Sequence, residues 1–568
     1  MSDSATIVIE RDVPVTMRDG AVLRGDLYRP SEGRYPTLVM RTPYSKGEPN
    51  GLMVLLDPVK AAAAGYTVFV QDVRGRFKSE GDFIPFANEA ADGYDTVEWA
   101  AKQPWSNGRI GMFGSSYMAA TQLQAATAAP PHLCAICPIE GSSDYYEGRS
   151  YKGGAFELGT MLSIGLFVGA VGNIERMTSS PKAYRDAWRE CKAMADDLAS
   201  VAMTAPLTDL KKTLLGTYAP FFFDWLEHDT PGPYWESFSV VSGHDKIAVP
   251  ALHLSSWYDS FLSGTIANYL GIRARGATQT ARENQYLWIG PWGHYIPRTM
   301  VYGVARLGLV EFGLNAMVNL DSVQLQWFDR WLKDDMANWR FRSPVRIFVL
   351  SDNIWRDEEV WPPPAKSGQL YLSAGAALHT ERPLRSPPDA YRADPANPVP
   401  TNGGAHLILE SAFPQGPWDQ RAIEARQDVL IYTSKILTEA VEIVGEIRVD
   451  LWMKSTAPST DVVPMLTVVR PDGASINVVD GIRRLKLNPG EIVKVEVSLG
   501  SVAQTFNAGE RIRLRIAGSN FPRHDLNPQT NERSFSSAIR VAAEQQVFHD
   551  ADRPSVLHLP MVRGRLPD

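Results

Sequence analysis

Apolar and polar positions change rhythm three times along this chain. VPVTMRDGAVLRGDLYRP alternates around Asp19-Gly20, a hairpin-turn signal. YPTLVMRTPY, TVFVQ, RIGMFG and CAICPIE are short apolar runs of the kind a strand buried on both faces requires. Between them, ANEAADGYDTVEWAAKQ (87–103, stopped by Pro104) and SSYMAATQLQAATAA have helical composition. Strands alternating with helices predict an α/β fold, a parallel sheet with helices on both faces.

The alternation breaks near residue 142. FELGTMLSIGLFVGAVGNI and APFFFDWLEHD, within 143–240, predict a helical insertion. Strands return at VPALHLSSWYD (249–259) and NQYLWIGPWGH (284–294). NLDSVQLQWFDRWLKDD (319–335) is amphipathic, with Leu325, Phe328 and Leu332 on one stripe. Beyond about residue 345, VEIVGEIRVDLWM, EIVKVEVSLG and RIRLRIAG alternate with period two, after a linker at WPPPAKSG (361–368). The expected organisation is a core in two parts, 1–142 and 241–345. A helical cap at 143–240 interrupts it, and an all-β sandwich or jelly roll at 346–568 follows.

The length of 568 residues fits two or three domains. A net charge of −7 without a basic block gives no reason to expect a nucleic-acid partner. No apolar run suggests a membrane span, and MSDSATIVIERDVPVTM has no leader pattern, so a cytoplasmic location is expected. Cys134, Cys137 and Cys191 cannot make a disulfide scaffold. Cys134 and Cys137, three apart in a strand, face opposite sides, and the ten histidines are scattered, so no metal site is expected.

GMFGSSYMAATQ places a serine at a strand–turn–helix junction, the context of a nucleophile elbow. Counting G-x-S from Gly114 selects Ser116 and leaves Ser115 as the variable position. Met118 stands where the generic pattern has a second glycine, so the stretch alone also accommodates a helix-capping serine. A serine nucleophile needs a base and an orienting carboxylate, here in the order Ser…Asp…His. Asp259 and His294 follow the two later strands and meet that order. Among rival histidines, His253 lies inside a strand and reads as packed, while His244 and His228 read as surface. Asp72, near Arg74 and Arg76, reads as ion-paired.

RTPYSKG (41–47), QDVRGRFKSEG (71–81), WSNGRIGMFGSSYMAATQ (105–122), SSWYDSF (255–261), GPWGH (290–294) and RIRLRIAGSNFPRHDLNP (511–528) span nearly the whole chain. With these motifs the chain resembles the cocaine esterase and X-prolyl dipeptidyl-peptidase-like α/β-hydrolases. That family includes the α-amino-acid ester hydrolases and glutaryl-cephalosporin acylases. The resemblance implies Ser116 as nucleophile, Asp259 as acid and His294 as base. It also implies an oxyanion hole of the Tyr44 hydroxyl and the Tyr117 N–H. Ala119 departs from the last glycine of the family's Gly-x-Ser-Tyr-x-Gly.

Tyr151, Phe156, Trp257 and Phe261 are the expected pocket residues, an aromatic set suited to benzoyl-like or bulky acyl groups. The resemblance puts Tyr151 near a tryptophan that faces the acyl group in cocaine esterase. The acids Glu140, Asp144, Glu147 and Glu157 form no legible cluster for a substrate ammonium. The expectation is therefore a serine esterase or amidase on small acyl substrates, needing no cofactor. One alternative is an X-Pro dipeptidyl aminopeptidase or α-amino-acid ester hydrolase that binds a free amine. Another is a catalytically inactive binding protein, which the joint presence of Ser116, Asp259, His294 and Tyr44 argues against. The sequence leaves a homodimer open.

Overall fold

A computed structural model of the protein describes residues 6–47, 56–301 and 304–567. Its first sheet contains β1 (Ile7–Thr16), β2 (Val22–Pro30), β3 (Tyr35–Thr42), β4 (Thr67–Asp72) and β5 (Ser106–Ser115). It continues with β6 (Leu133–Ile139), β7 (Ala251–Tyr258), β8 (Gln285–Gly293), β9 (Val345–Val349) and β10 (Ile354–Glu358). Among the described residues these strands lie in the order β1-β2-β4-β3-β5-β6-β7-β8-β9-β10. From β4 to β9 neighbours run parallel, while β1, β2 and β10 are antiparallel at the two edges. Every residue of β4 and of β7 is buried, as strands covered on both faces must be.

The sheet runs past the boundary expected at residue 345, because Val345–Glu358 form a hairpin on its last parallel strand. The hairpin is an antiparallel edge of the α/β core, not the start of the β domain. The linker at 361–368 is where the chain crosses over: the next strand, Lys366–Ser373, belongs to a second, twelve-stranded β sheet among the described residues. The amphipathic helix Leu320–Leu332 packs on the first sheet, with Phe328 so close that a Cβ on Gly111 would lie 2.7 Å from its ring.

Helices dominate from Leu158 to Lys246. Leu158–Met177 is one 20-residue helix with a π-helical stretch, Gly165–Ala170, at its centre. By length and composition it could cross a membrane, which the sequence reading did not expect, but 72% of its most apolar window is buried in the protein. It packs on the β domain: the Gly159 N–H donates to Pro522 O (2.9 Å), and the Leu407 N–H to Thr160 Oγ1 (3.2 Å).

A buried polar chain fixes β3 to the helices beside it. Arg41 Nη1 donates to Glu89 Oε2 at 2.6 Å, and Arg41 Nε to Gln71 Oε1 at 2.9 Å. The other Glu89 oxygen accepts from the Tyr117 hydroxyl at 2.9 Å, and that hydroxyl accepts the Phe86 N–H at 2.9 Å. Removing Arg41 strands a buried carboxylate. Arg41→Leu is therefore expected to lower folding stability by about 3–5 kcal/mol in urea unfolding; a loss below about 1 kcal/mol would contradict the role given to this pair.

Candidate active site

β5 ends in a turn that forces Ser116 to φ 61° and ψ −120° before the helix Tyr117–Thr127 begins. Gly114 makes the turn possible: it sits at φ 127°, and a Cβ there would lie 2.6 Å from Met118 Cβ. The Ser116 N–H donates to Ile139 O of the neighbouring strand at 2.9 Å. The serine is thus held at the strand end, at the N-terminus of an 11-residue helix.

The three residues expected to act together meet. Ser116 Oγ lies 3.0 Å from His294 Nε2, and His294 Nδ1 lies 2.8 Å from Asp259 Oδ1. Asp259 is fixed by two further donors, the Phe261 N–H to Oδ1 (3.1 Å) and Ser255 Oγ–H to Oδ2 (2.8 Å). A register shift between β7 and β8 at Gly290–Gly293 precedes His294, which is fully buried. His253 is packed as expected, against Gln285 Oε1 at 2.8 Å. His244 is not on the surface: it is 1% exposed and bonds Asn268 Oδ1 at 2.9 Å. Asp72 is buried and accepts the Lys46 N–H at 2.8 Å, while Arg74 pairs with Asp19 and Asp92 instead.

A second carboxyl group stands behind His294, and sequence reasoning missed its part. Glu140 ends β6 at φ 57°, with Oε2 3.8 Å from His294 Nδ1. Ser115 Oγ–H reaches the same oxygen at 3.4 Å, so Ser115 faces this carboxyl group. Burial pushes the Glu140 carboxyl group up, against the pull of His294. Burial disfavours the His294 imidazolium, but Glu140 and Asp259 outweigh it and hold the ring above its ordinary value. Glu140, Asp259 and His294 offer atoms within 4.8 Å of one another that a cation could use, yet His294 Nδ1 is already engaged by Asp259.

A cavity opens over Ser116. Tyr44, Tyr117 and Phe261 line it, together with Phe86, Tyr145, Arg149, Phe167, Tyr295 and Leu407. Burial raises the Tyr44 phenol, while Ser116 and the Tyr117 N–H lie near enough to draw it partly back down. The phenol therefore keeps its proton at neutral pH. Phe261 stands edge-on to the His294 ring at 5.3 Å.

Tyr151, Phe156 and Trp257 do not line this cavity. The Tyr151 hydroxyl donates to Trp225 O at 3.0 Å, and its ring packs on Tyr146 and Phe156. Trp257 Nε1–H donates to Phe348 O at 2.7 Å. These rings pack the helical segment and the sheet edge, which an aromatic residue does more often than it touches substrate.

This strand order, with a serine elbow after β5, defines the class of α/β-hydrolases. Residues 19–296 match the X-Pro dipeptidyl-peptidase (S15) family, and residues 337–558 match the X-Pro dipeptidyl-peptidase C-terminal non-catalytic domain. The chain is 32% identical to the cocaine esterase of Rhodococcus sp., over 98% of this chain and 99% of that one. It belongs to the cocaine esterase and X-Pro dipeptidyl-peptidase-like family of serine hydrolases. An α-amino acid ester hydrolase is similar in structure, with a TM-score of 0.83, 25% identity and coverage of 99% of this chain and 97% of that one. An aminopeptidase from a Thaumarchaeota archaeon shares the fold, with a TM-score of 0.84, 23% identity and the same coverage.

Glu140 and Asp259 both raise His294. His294 must be neutral to accept a proton, so a raised value places the acidic limb of kcat/KM at higher pH. Glu140→Gln removes one of the two groups that raise it. The acidic limb is expected to move to lower pH in a pH–rate profile; an unmoved limb with activity retained would contradict the coupling.

Proposed function

We propose that this protein cleaves an ester or amide bond of a small acyl substrate through an acyl-enzyme on Ser116. The line from Ser116 Oγ to His294 Nε2 at 3.0 Å, and from His294 Nδ1 to Asp259 at 2.8 Å, carries the reading. Ser116 Oγ attacks the substrate carbonyl while His294 Nε2 takes its proton. Asp259 holds the tautomer and stabilises the imidazolium. The tetrahedral oxyanion accepts hydrogen bonds from the Tyr44 hydroxyl and the Tyr117 N–H. The intermediate collapses by breaking the C–O or C–N bond, and His294 returns the proton to the leaving alcohol or amine. Water, activated by the same histidine, then releases the acid and restores Ser116.

The cavity lining supports an esterase or amidase over an amine-directed enzyme. A substrate ammonium needs a carboxylate, and among the described residues around the cavity there is none. In this reading the helical segment acts as a cap and the C-terminal β domain as a jelly roll that closes the cavity through Leu407 and Leu409.

Ser116→Ala is expected to lower kcat for a 4-nitrophenyl ester by about 10⁴-fold or more, while Ser115→Ala keeps most of it. Equal losses in two folded variants would sink the assignment. Tyr44→Phe removes one oxyanion donor and is expected to cost about 10²–10³ in kcat. A change of only a few-fold would remove Tyr44 from the hole.

A further inference from the structure

Two carboxyl groups converge on the imidazole of His294. Glu140 stands one residue past β6 and Asp259 one residue past β7, and these strands are parallel neighbours, with Ile139 opposite Leu254. Their ends therefore deliver both acids to one ring. Asp259 Oδ1 lies 2.8 Å from His294 Nδ1, and Glu140 Oε2 lies 3.8 Å from the same nitrogen. All three side chains are fully buried.

The proton transfer described above uses only Asp259. The Phe261 N–H at 3.1 Å and the Ser255 hydroxyl at 2.8 Å hold that carboxylate in its charged form. Glu140 is not committed elsewhere. Other buried acids are neutralised by an arginine: Glu89 by Arg41 at 2.6 Å, Asp480 by Arg523 at 2.7 Å and Asp461 by Arg484 at 2.8 Å. Among the described residues no lysine or arginine nitrogen lies within 4 Å of Glu140, and its ion-pair partner is His294. The backbone is bent to aim it. Glu140 sits at φ 57°, a region that residues with a side chain rarely enter, and its N–H is tied to Leu254 O at 2.8 Å. Burying a carboxyl group in this way is costly unless the histidine uses it.

We propose that Glu140 is a reserve positioning residue: in the absence of the Asp259 carboxylate it accepts the His294 Nδ1–H and supports the same proton transfer from Ser116. The proposal rests on the hydrolase reading above and adds a second acid to it. Two adjacent buried carboxyl groups resist ionising together, so Asp259 carries the charge and Glu140 keeps its proton while both are present. Without Asp259 that repulsion is gone, and Glu140 gives its proton to solvent. A shift of about 1 Å then brings Oε2 to hydrogen-bond distance of Nδ1. Ser116 Oγ passes its proton to Nε2 as before, and Nδ1–H donates to Glu140 in place of Asp259.

The test is a double-substitution cycle with 4-nitrophenyl butyrate, each variant at its own pH optimum and uncatalysed rates subtracted. Asp259→Ala is expected to lower kcat about 10–100-fold, less than the roughly 10⁴-fold that loss of a lone orienting acid costs. Glu140→Gln is expected to cost about 3–10-fold in the otherwise wild-type protein and at least about 100-fold in Asp259→Ala, with KM changed by less than about threefold. Equal costs of Glu140→Gln in the two backgrounds, the result of a merely structural role, overturn the reserve acid alone. If Asp259→Ala does not fold, Asp259→Ser, which leaves the Phe261 N–H an acceptor, gives the same comparison with the same two outcomes. Absence of turnover by the wild-type protein, with no fluorophosphonate labelling, overturns the hydrolase reading and this assignment with it.

Discussion

Ser116 holds φ 61° and ψ −120°, a conformation that costs a residue with a side chain roughly 1–3 kcal/mol, and much of the architecture keeps it there. β5 is clamped between β3 and β6, and the Ser116 amide is tied to Ile139 across the sheet. Gly114 leaves room for Met118, so the helix starts immediately after the serine. Relaxing Ser116 would turn its hydroxyl away from His294 and re-aim the N–H of Tyr117.

Charges around this turn are buried and divided into two kinds. Arg41 and Glu89 pair at 2.6 Å and, through the Tyr117 hydroxyl, fix a residue that lines the cavity. Asp259 is oriented by three donors and in turn orients His294. Glu140 and Arg149 are different. Glu140 is a carboxyl group raised by burial, and Arg149 is a buried cation with no carboxylate partner among the described residues. Groups left unsatisfied beside a reactive serine are placed where substrate or proton transfer changes their surroundings.

Much of the core and the Ser–Asp–His line was legible because each rests on local pattern. Continuous apolar runs mark strands buried on both faces, and the chemistry sits directly after them. The pocket was not legible, because its walls come from distant segments. Tyr151 and Trp257 are aromatic and near in sequence to the right loops, yet their polar atoms are used by Trp225 and Phe348. Nothing in GRSYKGG marks Arg149 as buried; packing against Phe86 and Trp225 reveals it. His244 misled for the same reason, since a polar stretch folds under the helix that supplies Asn268. The edge hairpin Val345–Glu358 lies beyond the last core helix, and its partner strand assigns it to the core.

In the proposed mechanism the strained serine, and not its neighbour, receives the acyl group. A fluorophosphonate probe followed by peptide mass spectrometry tests it most directly. One adduct per chain is expected, on Ser116, and none after His294→Ala removes the base. An adduct on Ser115, or labelling of Ser116 that survives the loss of His294 at an undiminished rate, would contradict it.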